Sequence, residues 1–262
     1  MDQSKIAAYS KELYDALHAQ KTVAPITDRE PDITIEDAYA IQLGMIQLRI
    51  DNDGDTVIGK KIGATSKIVQ SMLDVKQPDF GHLLSGMAYS DGAEVSISNT
   101  LIQTKMEGEI AFVLKKELLG PGITAANVLA ATDFVMPCFE ICDSRIDDWK
   151  IKIQDTVADN ASAGAFLLGD NAVSPHKVDL KTCGMILEKN GQIVGTGAGA
   201  ATLGHPLNAV AWLANTLGAL GIPLKAGEVI LSGSLANMVP AKPGDSMRVT
   251  IGGIGSATVN FS

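Results

Sequence analysis

The chain has 262 residues, of which 46% are hydrophobic and 19% are charged, and its formal net charge at pH 7 is −9. This length and composition suit one large globular domain, or a large domain with a small appendage. The acidic balance argues against binding to nucleic acid or to anionic membranes.

The three Cys residues show no CxxC spacing, which is typical of reduced, buried thiols in a cytoplasm. The first residues carry no apolar signal core, so we expect a cytoplasmic location without export. The segment between Lys189 and Lys225 contains no Asp, Glu, Lys or Arg. Gly, Asn, Pro and His interrupt it, which favours a buried helix with flanking loops over a membrane span.

Residues 1–80 are predicted to form a small helical lobe. An apolar stripe predicts a helix over residues 4–19 that Ser4 could cap, and a variant capping box at Thr34 begins a second helix. A short strand over residues 57–62 and a further helix follow. A turn at residues 77–81 closes the lobe.

From residue 81 the pattern changes to short strands and glycines, which predicts a β-rich domain over residues 81–262. The fold class is therefore α+β. Asn190-Gly191 is a strong hairpin signal, and Pro206 marks the first turn of a buried helix. The predicted strands cover residues 93–97, 107–114, 134–142, 165–168, 229–231, 247–251 and 257–261, and a short helix covers 124–131.

Two carboxylates lie in the strand-like run over residues 105–114. Strand alternation places Glu107 and Glu109 on one face with Ala111 and Val113, and both faces are mostly apolar. Two like charges this close repel each other and lose hydration, so a hard cation is the simplest compensation. The alternative is a strand end at which both side chains reach water.

A third carboxylate favours the cation. Glu140 shares a strand face with Met136, Cys138 and Cys142, where an unpaired carboxylate is costly. The three Glu side chains could supply oxygen ligands to Mg²⁺ or Mn²⁺, with water and substrate completing an octahedron. Zinc is disfavoured because no His or Cys pair stands at ligand spacing.

Two further groups have competing interpretations. Strand parity separates Lys60 from Lys61, so one of them points inward, where it could hold a carboxylate or move a proton. An ordinary surface Lys is the simpler interpretation. Asp79 follows a Pro in a turn, where Asp residues commonly cap backbone N–H groups.

Seven sequence blocks together resemble the hydratase/decarboxylase branch of the fumarylacetoacetate hydrolase superfamily. They run in order almost to the C-terminus: 59–63 (GKKIG), 77–81 (QPDFG), 107–112 (EGEIAF), 143–149 (DSRIDDW), 155–162 (DTVADNAS), 203–208 (LGHPLN) and 233–234 (GS). The resemblance implies a mixed β-roll catalytic domain behind the helical lobe. It also implies a divalent metal on Glu107, Glu109 and Glu140.

The same resemblance implies that Lys61 and Asp79 are active-site residues, against the simpler interpretations above. Ser162 and Ser234 lie in matching loops and are candidates for hydrogen bonds to the substrate carboxylate. The family further implies a homo-oligomer, and a complex between the decarboxylase and the hydratase.

Within this branch, the Glu-Gly-Glu sequence at residues 107–109 and the segments 211–217 and 230–234 are more similar to the decarboxylases. The implied reaction is Mg²⁺- or Mn²⁺-dependent decarboxylation of 4-oxalocrotonate (2-oxo-3-hexenedioate) to 2-hydroxypenta-2,4-dienoate and CO₂, in the degradation of aromatic compounds. The alternative is the hydratase that adds water to 2-hydroxypenta-2,4-dienoate. A non-catalytic subunit is a third hypothesis, which the buried carboxylates disfavour.

Overall fold

The computed structural model describes residues 1–262 and contains two β-sheets with helices packed around them. The helices are α1 (Gln3–Ala19), α2 (Ile26–Arg29), α3 (Ile35–Asp53), α4 (Lys67–Met72), α5 (Ile97–Thr100), α6 (Ala125–Ala131), α7 (Ile153–Ala158) and α8 (Pro206–Gly218). The strands are β1 (Val57–Gly63), β2 (Asp79–Leu84), β3 (Ala88–Ser90), β4 (Glu94–Val95), β5 (Thr104–Leu114), β6 (Thr132–Asp143), β7 (Ala163–Leu168), β8 (Gly184–Lys189), β9 (Gln192–Ala198), β10 (Val229–Leu231), β11 (Val239–Pro240), β12 (Ser246–Ile251) and β13 (Gly255–Phe261).

The helical N-terminal region begins with two long helices, α1 and α3, that pack against each other. The side chain of Asp2, not Ser4, caps α1 by accepting a hydrogen bond from the Lys5 N–H. At α3, Thr34 and Asp37 form a reciprocal capping box, as predicted, and Gly54 ends the helix in the left-handed conformation.

The larger sheet has eight strands in the order β2-β1-β10-β5-β6-β7-β3, with β11 also paired to β5. Strands β5 and β6 run antiparallel at its centre over their whole length. The smaller sheet has five strands in the order β4-β13-β12-β8-β9. Its β8–β9 hairpin turns at Asn190 and Gly191, both with positive φ, as the Asn-Gly signal predicts.

The larger sheet is covered on both faces, which explains why its central strands are apolar on both sides. One face carries Ile110 and Phe112 into a core that includes α8 and the smaller sheet. The other face carries Ala111 and Leu231 into a second core, which includes Leu13 of α1 and the buried side of α3. The N-terminal helices therefore cover one face of the central sheet.

The predicted fold, a mixed β-roll with a helical N-terminal region, is confirmed. Besides the Ser4 cap, two local predictions are wrong: the predicted turn at residues 77–81 runs into strand β2, and the strand predicted at 93–97 shrinks to Glu94–Val95 before helix α5. The division into a lobe over residues 1–80 and a domain over 81–262 stays a prediction, although β1 already belongs to the larger sheet. None of the helices has the length and apolar character needed to span a membrane.

Candidate metal centre and active site

Five charged side chains project from the same face of the larger sheet. Residues directly opposite each other on neighbouring strands share a face. Glu107 pairs with Glu140, and Glu109 follows two positions along β5. Lys61 of β1 pairs with Leu231 of β10, which pairs with Ala111 of β5, so Lys61 lies on the face of Glu107 and Glu109. Gly63, two positions after Lys61, pairs with Asp79 of β2, which places Asp79 on the same face. Strand register thus brings together side chains from four distant segments.

The centre of the site is formed by Glu107 and Glu140. Their carboxylate oxygens and the Cys142 sulfur lie within 4.8 Å of one another. The Cys142 thiol donates to Glu107 Oε2 at 3.5 Å. Glu140 is fully buried, whereas Glu107 is half-buried.

Glu109 lies deeper on the same strand and is fully buried. Its Oε2 accepts a hydrogen bond from the backbone N–H of Gly233 at 2.7 Å, while Oε1 has no partner. Gly233 adopts a φ of +107°, and a Cβ at this position would lie 2.4 Å from the Thr65 hydroxyl oxygen. Only glycine fits there without displacing the group that orients Glu109.

Lys61 connects the acidic cluster to a neighbouring loop. Its ammonium nitrogen lies 2.9 Å from Glu140 Oε1 and donates to the carbonyl oxygen of Ala161 at 2.8 Å. Lys60 points to the opposite face and pairs with Glu228, with Nζ–Oε1 at 2.6 Å. Both lysines are buried, so the interpretation of either as an ordinary surface residue is wrong.

Asp79 is buried at the edge of this face, and its Oδ1 has no hydrogen-bond partner. It therefore does not serve as the backbone cap that its turn-like sequence favoured. A Cβ on Gly63 would lie 2.2 Å from Asp79 Oδ1 and 3.3 Å from the Lys61 ammonium. The absence of a side chain at Gly63 makes room for the two charged groups to face each other.

The loop that receives Lys61 is held by a buried ion pair. Asn160, Ala161 and Ser162 all adopt positive φ values near 50°, which is unfavourable for residues other than glycine. The Arg145 guanidinium donates to Asp159 Oδ1 and to the carbonyl oxygens of Asp143 and Ala163, and its backbone N–H donates to Asp159 Oδ2. These contacts fix both flanks of the loop, so the Ala161 carbonyl stays directed at Lys61.

The two predicted serines differ in their surroundings. Ser162 follows Ala161 and is buried, with its hydroxyl 3.3 Å from the Thr156 hydroxyl. Ser234 follows Gly233, and its hydroxyl donates to the Ala236 carbonyl at 2.7 Å within its own loop. The structure brings the backbone of both residues to the site, and their substrate contacts stay predictions.

Burial governs the protonation of the cluster. It raises the pKa of Glu107 to about 7, with a further rise from the neighbouring Glu140 charge. Burial also raises the pKa values of Glu109, Glu140 and Asp79. Burial alone would lower the pKa of Lys61, but the nearby carboxylates, Glu140 above all, hold it well above the usual range. Without a bound cation, the site therefore favours protonated carboxyls beside a charged ammonium.

The donor set fits a hard divalent cation. Oε2 of Glu140 and Oε1 of Glu109 are buried without a hydrogen-bond partner, and Oε1 of Glu140 has only the Lys61 ammonium beside it, which is costly for carboxylates that bind no cation. Carboxylate oxygens of Glu107 and Glu140 lie within 4.8 Å of each other, and Glu109, which lies outside this close group, offers the buried Oε1 as a third candidate ligand. Carboxylate oxygens are the ligands that Mg²⁺ and Mn²⁺ prefer. The Cys142 sulfur lies beside these oxygens and is a softer donor. Strand alternation had predicted that Cys142 shares the face of Glu140.

A separate groove of about 410 Å³ lies on the same sheet face, lined in part by Met136, Phe166 and Val229. It contains none of the five charged residues of the acidic cluster. The candidate site is therefore identified by its chemistry, not by the size of a cavity.

Sequence reasoning missed the backbone groups of the site. The Gly233 N–H and the Ala161 carbonyl orient Glu109 and Lys61, yet no side-chain pattern identifies them. Two features of the sequence could have indicated these groups: the glycine in the 233–234 block, and the presence of Arg145 and Asp159 on either side of the loop.

The sequence matches the family profile described as fumarylacetoacetate (FAA) hydrolase C-terminal over residues 61–262. The chain belongs to this family. A curated relative, 2-hydroxyhexa-2,4-dienoate hydratase of Comamonas testosteroni, is 58% identical over 262 residues, covering 100% of this chain and 99% of the relative. The 2-hydroxypent-2,4-dienoate hydratase of Pseudomonas putida is 62% identical over 222 residues, covering 85% and 100% of the two chains.

Among solved structures, the 4-oxalocrotonate decarboxylase of Pseudomonas putida G7, complexed with magnesium and adipate, superposes with a TM-score of 0.96 at 37% identity. The alignment covers 100% of this chain and 99% of that one. This similarity shows the shared fold, and the metal and adipate are properties of that crystal.

The expectation of a carboxy-lyase is wrong. The relatives at 58% and 62% identity are both named hydratases, which are carbon–oxygen lyases, whereas the decarboxylase is 37% identical. The Glu-Gly-Glu sequence that favoured a decarboxylase contains one small residue between two predicted metal ligands. Gly108 points away from the cluster, where a Cβ would lie 2.8 Å from Val249 of the smaller sheet. Glycine at position 108 is therefore explained by packing against the smaller sheet, and it carries no information about the reaction.

Proposed function

We propose that this chain is a metal-dependent hydratase that adds water to short 2-hydroxy-2,4-dienoates. The observation that carries the proposal is the buried Glu107–Glu109–Glu140 cluster facing Lys61, on a chain 58% identical to a hydratase along its whole length. The substrates of the two named relatives have five and six carbons, so we propose this range of chain length. The reaction would belong to the degradation of aromatic compounds.

Glu107, Glu109 and Glu140 would hold the divalent cation, Mg²⁺ or Mn²⁺. When bound, the cation would supply Lewis-acid stabilisation to negative charge that develops on the oxygens of a 2-oxo acid. The protein's contribution is a fixed ligand set: Gly233 holds Glu109 in place, and strand pairing holds Glu107 against Glu140.

The chemistry requires two proton movements and one C–O bond. The proton of the C2 hydroxyl leaves and C5 gains a proton, which gives a 2-oxo acid with a C3–C4 double bond. Conjugation with the C2 carbonyl makes C4 electrophilic, so water adds its oxygen to C4. The water loses one proton and C3 gains one, which leaves a 4-hydroxy-2-oxo acid. The net change is the addition of one water molecule.

Lys61 and Asp79 are the groups that we assign to these proton movements. The high pKa of Lys61 keeps its ammonium charged at neutral pH, so it would donate a hydrogen bond to an oxyanion of the substrate. The raised pKa of Asp79 and its free Oδ1 suit a group that accepts and returns a proton. Ser162 and Ser234 would hold the carboxylate.

The assembly of the protein stays a prediction. We expect a homo-oligomer. We also expect a complex with the decarboxylase that supplies the substrate, in which this chain would be the hydratase subunit. A sizing measurement of the purified chain, alone and mixed with such a decarboxylase, tests both expectations.

The function is tested by adding freshly generated 2-hydroxypenta-2,4-dienoate to purified protein with Mg²⁺. We expect loss of the dienol ultraviolet absorbance and a product heavier by one water, both abolished by EDTA. Unchanged dienoate in the presence of Mg²⁺ and of Mn²⁺ would refute the proposal.

A further inference from the structure

A lysine that forms no ion pair lies beside the acidic cluster. Lys105 precedes Glu107 by two positions on β5 and pairs across the sheet with Cys142, so it shares the face of the cluster. Its ammonium has no carboxylate oxygen within salt-bridge distance. It lies over the indole ring of Trp149, 4.0 Å from the ring centroid. Such a cation–π contact stabilises the ammonium and leaves its donors free.

The backbone presents Trp149 in an unusual way. Asp148 and Trp149 both adopt left-handed φ values, 54° and 57°, a conformation that costs energy in residues other than glycine. The indole N–H donates to the Gln103 carbonyl at 3.0 Å, which fixes the ring at the edge of the site. A strained backbone and an anchored ring together fix the indole face on which the Lys105 ammonium rests.

The net charge of the site indicates a function for Lys105. With a divalent cation bound and its carboxylates ionised, the cluster and Asp79 carry four negative charges, against three positive charges on the cation and Lys61. The site would then be negative by one charge, although its substrate is an anion. Lys105 is the unpaired cation on the same face. Partial burial lowers the pKa of Lys105, while its neighbours Cys142 and Glu107 oppose that effect.

We propose that Lys105, held by Trp149, is a substrate-binding residue that neutralises the site and attracts the carboxylate of the incoming acid. The ammonium leaves the indole face to contact the anion and returns when the product departs. This inference rests on the proposed function, since it specifies how that site accepts an anionic substrate.

If Lys105 acts through its charge, its removal should have opposite effects on the binding of an anion and of a cation. A purely structural role of Lys105 would not produce opposite effects. Removing a positive charge near the cluster weakens the binding of an anion and strengthens the binding of a cation. Loss of local structure would weaken both. Oxalate is a suitable probe because it presents a carboxylate beside a second oxygen, as a 2-oxo acid does, and it is not turned over.

The experiment compares Lys105→Met and Lys105→Arg with the unaltered chain. Mn²⁺ binding is measured by electron paramagnetic resonance without oxalate, and oxalate binding by calorimetry at saturating Mg²⁺. We expect Lys105→Met to weaken oxalate binding by about tenfold while Mn²⁺ binds at least as tightly. Lys105→Arg should restore oxalate binding because it keeps the charge and stacks on Trp149. Lys150→Met is the matched control: this exposed lysine pairs with Asp148 in the same segment, and its removal should change neither affinity.

Fluorescence reports the movement of the ammonium. In a Trp212→Phe background Trp149 is the remaining tryptophan, and oxalate should change its emission as Lys105 leaves the ring. The same titration in Lys105→Met should show no such change. Unchanged oxalate affinity in Lys105→Met, or a parallel loss of Mn²⁺ and oxalate binding, would overturn the proposal. If the dienoate is not hydrated but oxalate binding depends on Lys105, the proposed function fails and the carboxylate site stands.

Discussion

The Lys61 ammonium lies 2.9 Å from Glu140 Oε1, and neither oxygen of Glu140 has a well-aligned hydrogen bond. The contact is therefore electrostatic, between a buried cation and a carboxylate with free lone pairs. Such an arrangement leaves Glu140 able to bind a metal without breaking a hydrogen-bond network, and it leaves Lys61 anchored by the Ala161 carbonyl.

Replacing Lys61 by Met should lower kcat by about 10²–10⁴-fold, because a positioned proton-transfer group contributes about that much. Metal binding should persist, since the three proposed Glu ligands remain. Steady-state kinetics and Mn²⁺ titration measure the two properties. Full turnover in Lys61→Met would disprove the assigned role.

The neighbouring lysine gives a contrasting control. Lys60→Met leaves Glu228 without its partner on the opposite face of β1. Removing one member of a buried pair costs about 3–5 kcal/mol, so this variant should unfold at lower denaturant concentration. The fraction that stays folded should retain its turnover. Activity lost in Lys60→Met without loss of stability would contradict the separation of the two faces.

Glu140→Gln should abolish tight metal binding while keeping the side-chain shape. The amide has the same size as the carboxylate but lacks the charge that a divalent cation requires. Calorimetric titration with Mn²⁺ tests this expectation. Glu117→Gln, at an exposed position outside the site, is the matched control and should bind metal normally.

The pH dependence of stability should differ between the metal-free and metal-bound protein. In the absence of metal, burial and the charge of Glu140 raise the pKa of Glu107 from 4.5 to about 7. Folding therefore favours the protonated form: its contribution to stability is present below about pH 4.5 and is lost as the pH rises through about 7.

Thermal unfolding between pH 5 and pH 8 measures this effect. With EDTA, Tm should fall over this range more than it does with saturating Mg²⁺, because the cation replaces the proton on the carboxylates. The stabilisation by Mg²⁺ should thus grow with pH. An equal Mg²⁺ effect at pH 5 and pH 8 would mean that the carboxylates are not linked to the metal.

Gly63→Ala should inactivate the enzyme with little change in metal affinity. The new methyl group would lie 2.2 Å from Asp79 Oδ1, so it must displace the carboxylate from Lys61. Gly184→Ala is the control, since a Cβ there meets no atom within 4 Å. Circular dichroism checks that both variants fold, and unaltered kcat in Gly63→Ala would show that Asp79 is not needed at this position.

Strand parity predicted the centre of the site from the sequence. Alternation alone placed Glu107 and Glu109 on one face, and the structure adds that Glu140 pairs directly with Glu107. The pairing could not be predicted because it depends on the register of β5 against β6, which arises from contacts across the whole sheet.

The burial of Lys61 and Asp79 beside the acidic cluster was harder to predict. Local sequence favoured a surface lysine and a capping aspartate, because their surroundings are supplied by distant segments: Ala161 accepts from Lys61, and Gly63 leaves space for Asp79. The short segment at residues 77–81 looked like a turn since Pro78, Asp79 and Gly81 are turn formers. Pairing with β1 overrides that preference and places the aspartate at the start of β2.

The most direct test of the account is the product formed from 2-hydroxypenta-2,4-dienoate in H₂¹⁸O, with Mg²⁺ and with EDTA. After back-exchange of the C2 carbonyl oxygen in H₂¹⁶O, we expect one ¹⁸O atom at C4 of a 4-hydroxy-2-oxo acid, with Mg²⁺ only, and no such product from Glu140→Gln. An unlabelled or unchanged dienoate, together with CO₂ release from 2-oxo-3-hexenedioate, would contradict the assignment of this site to water addition.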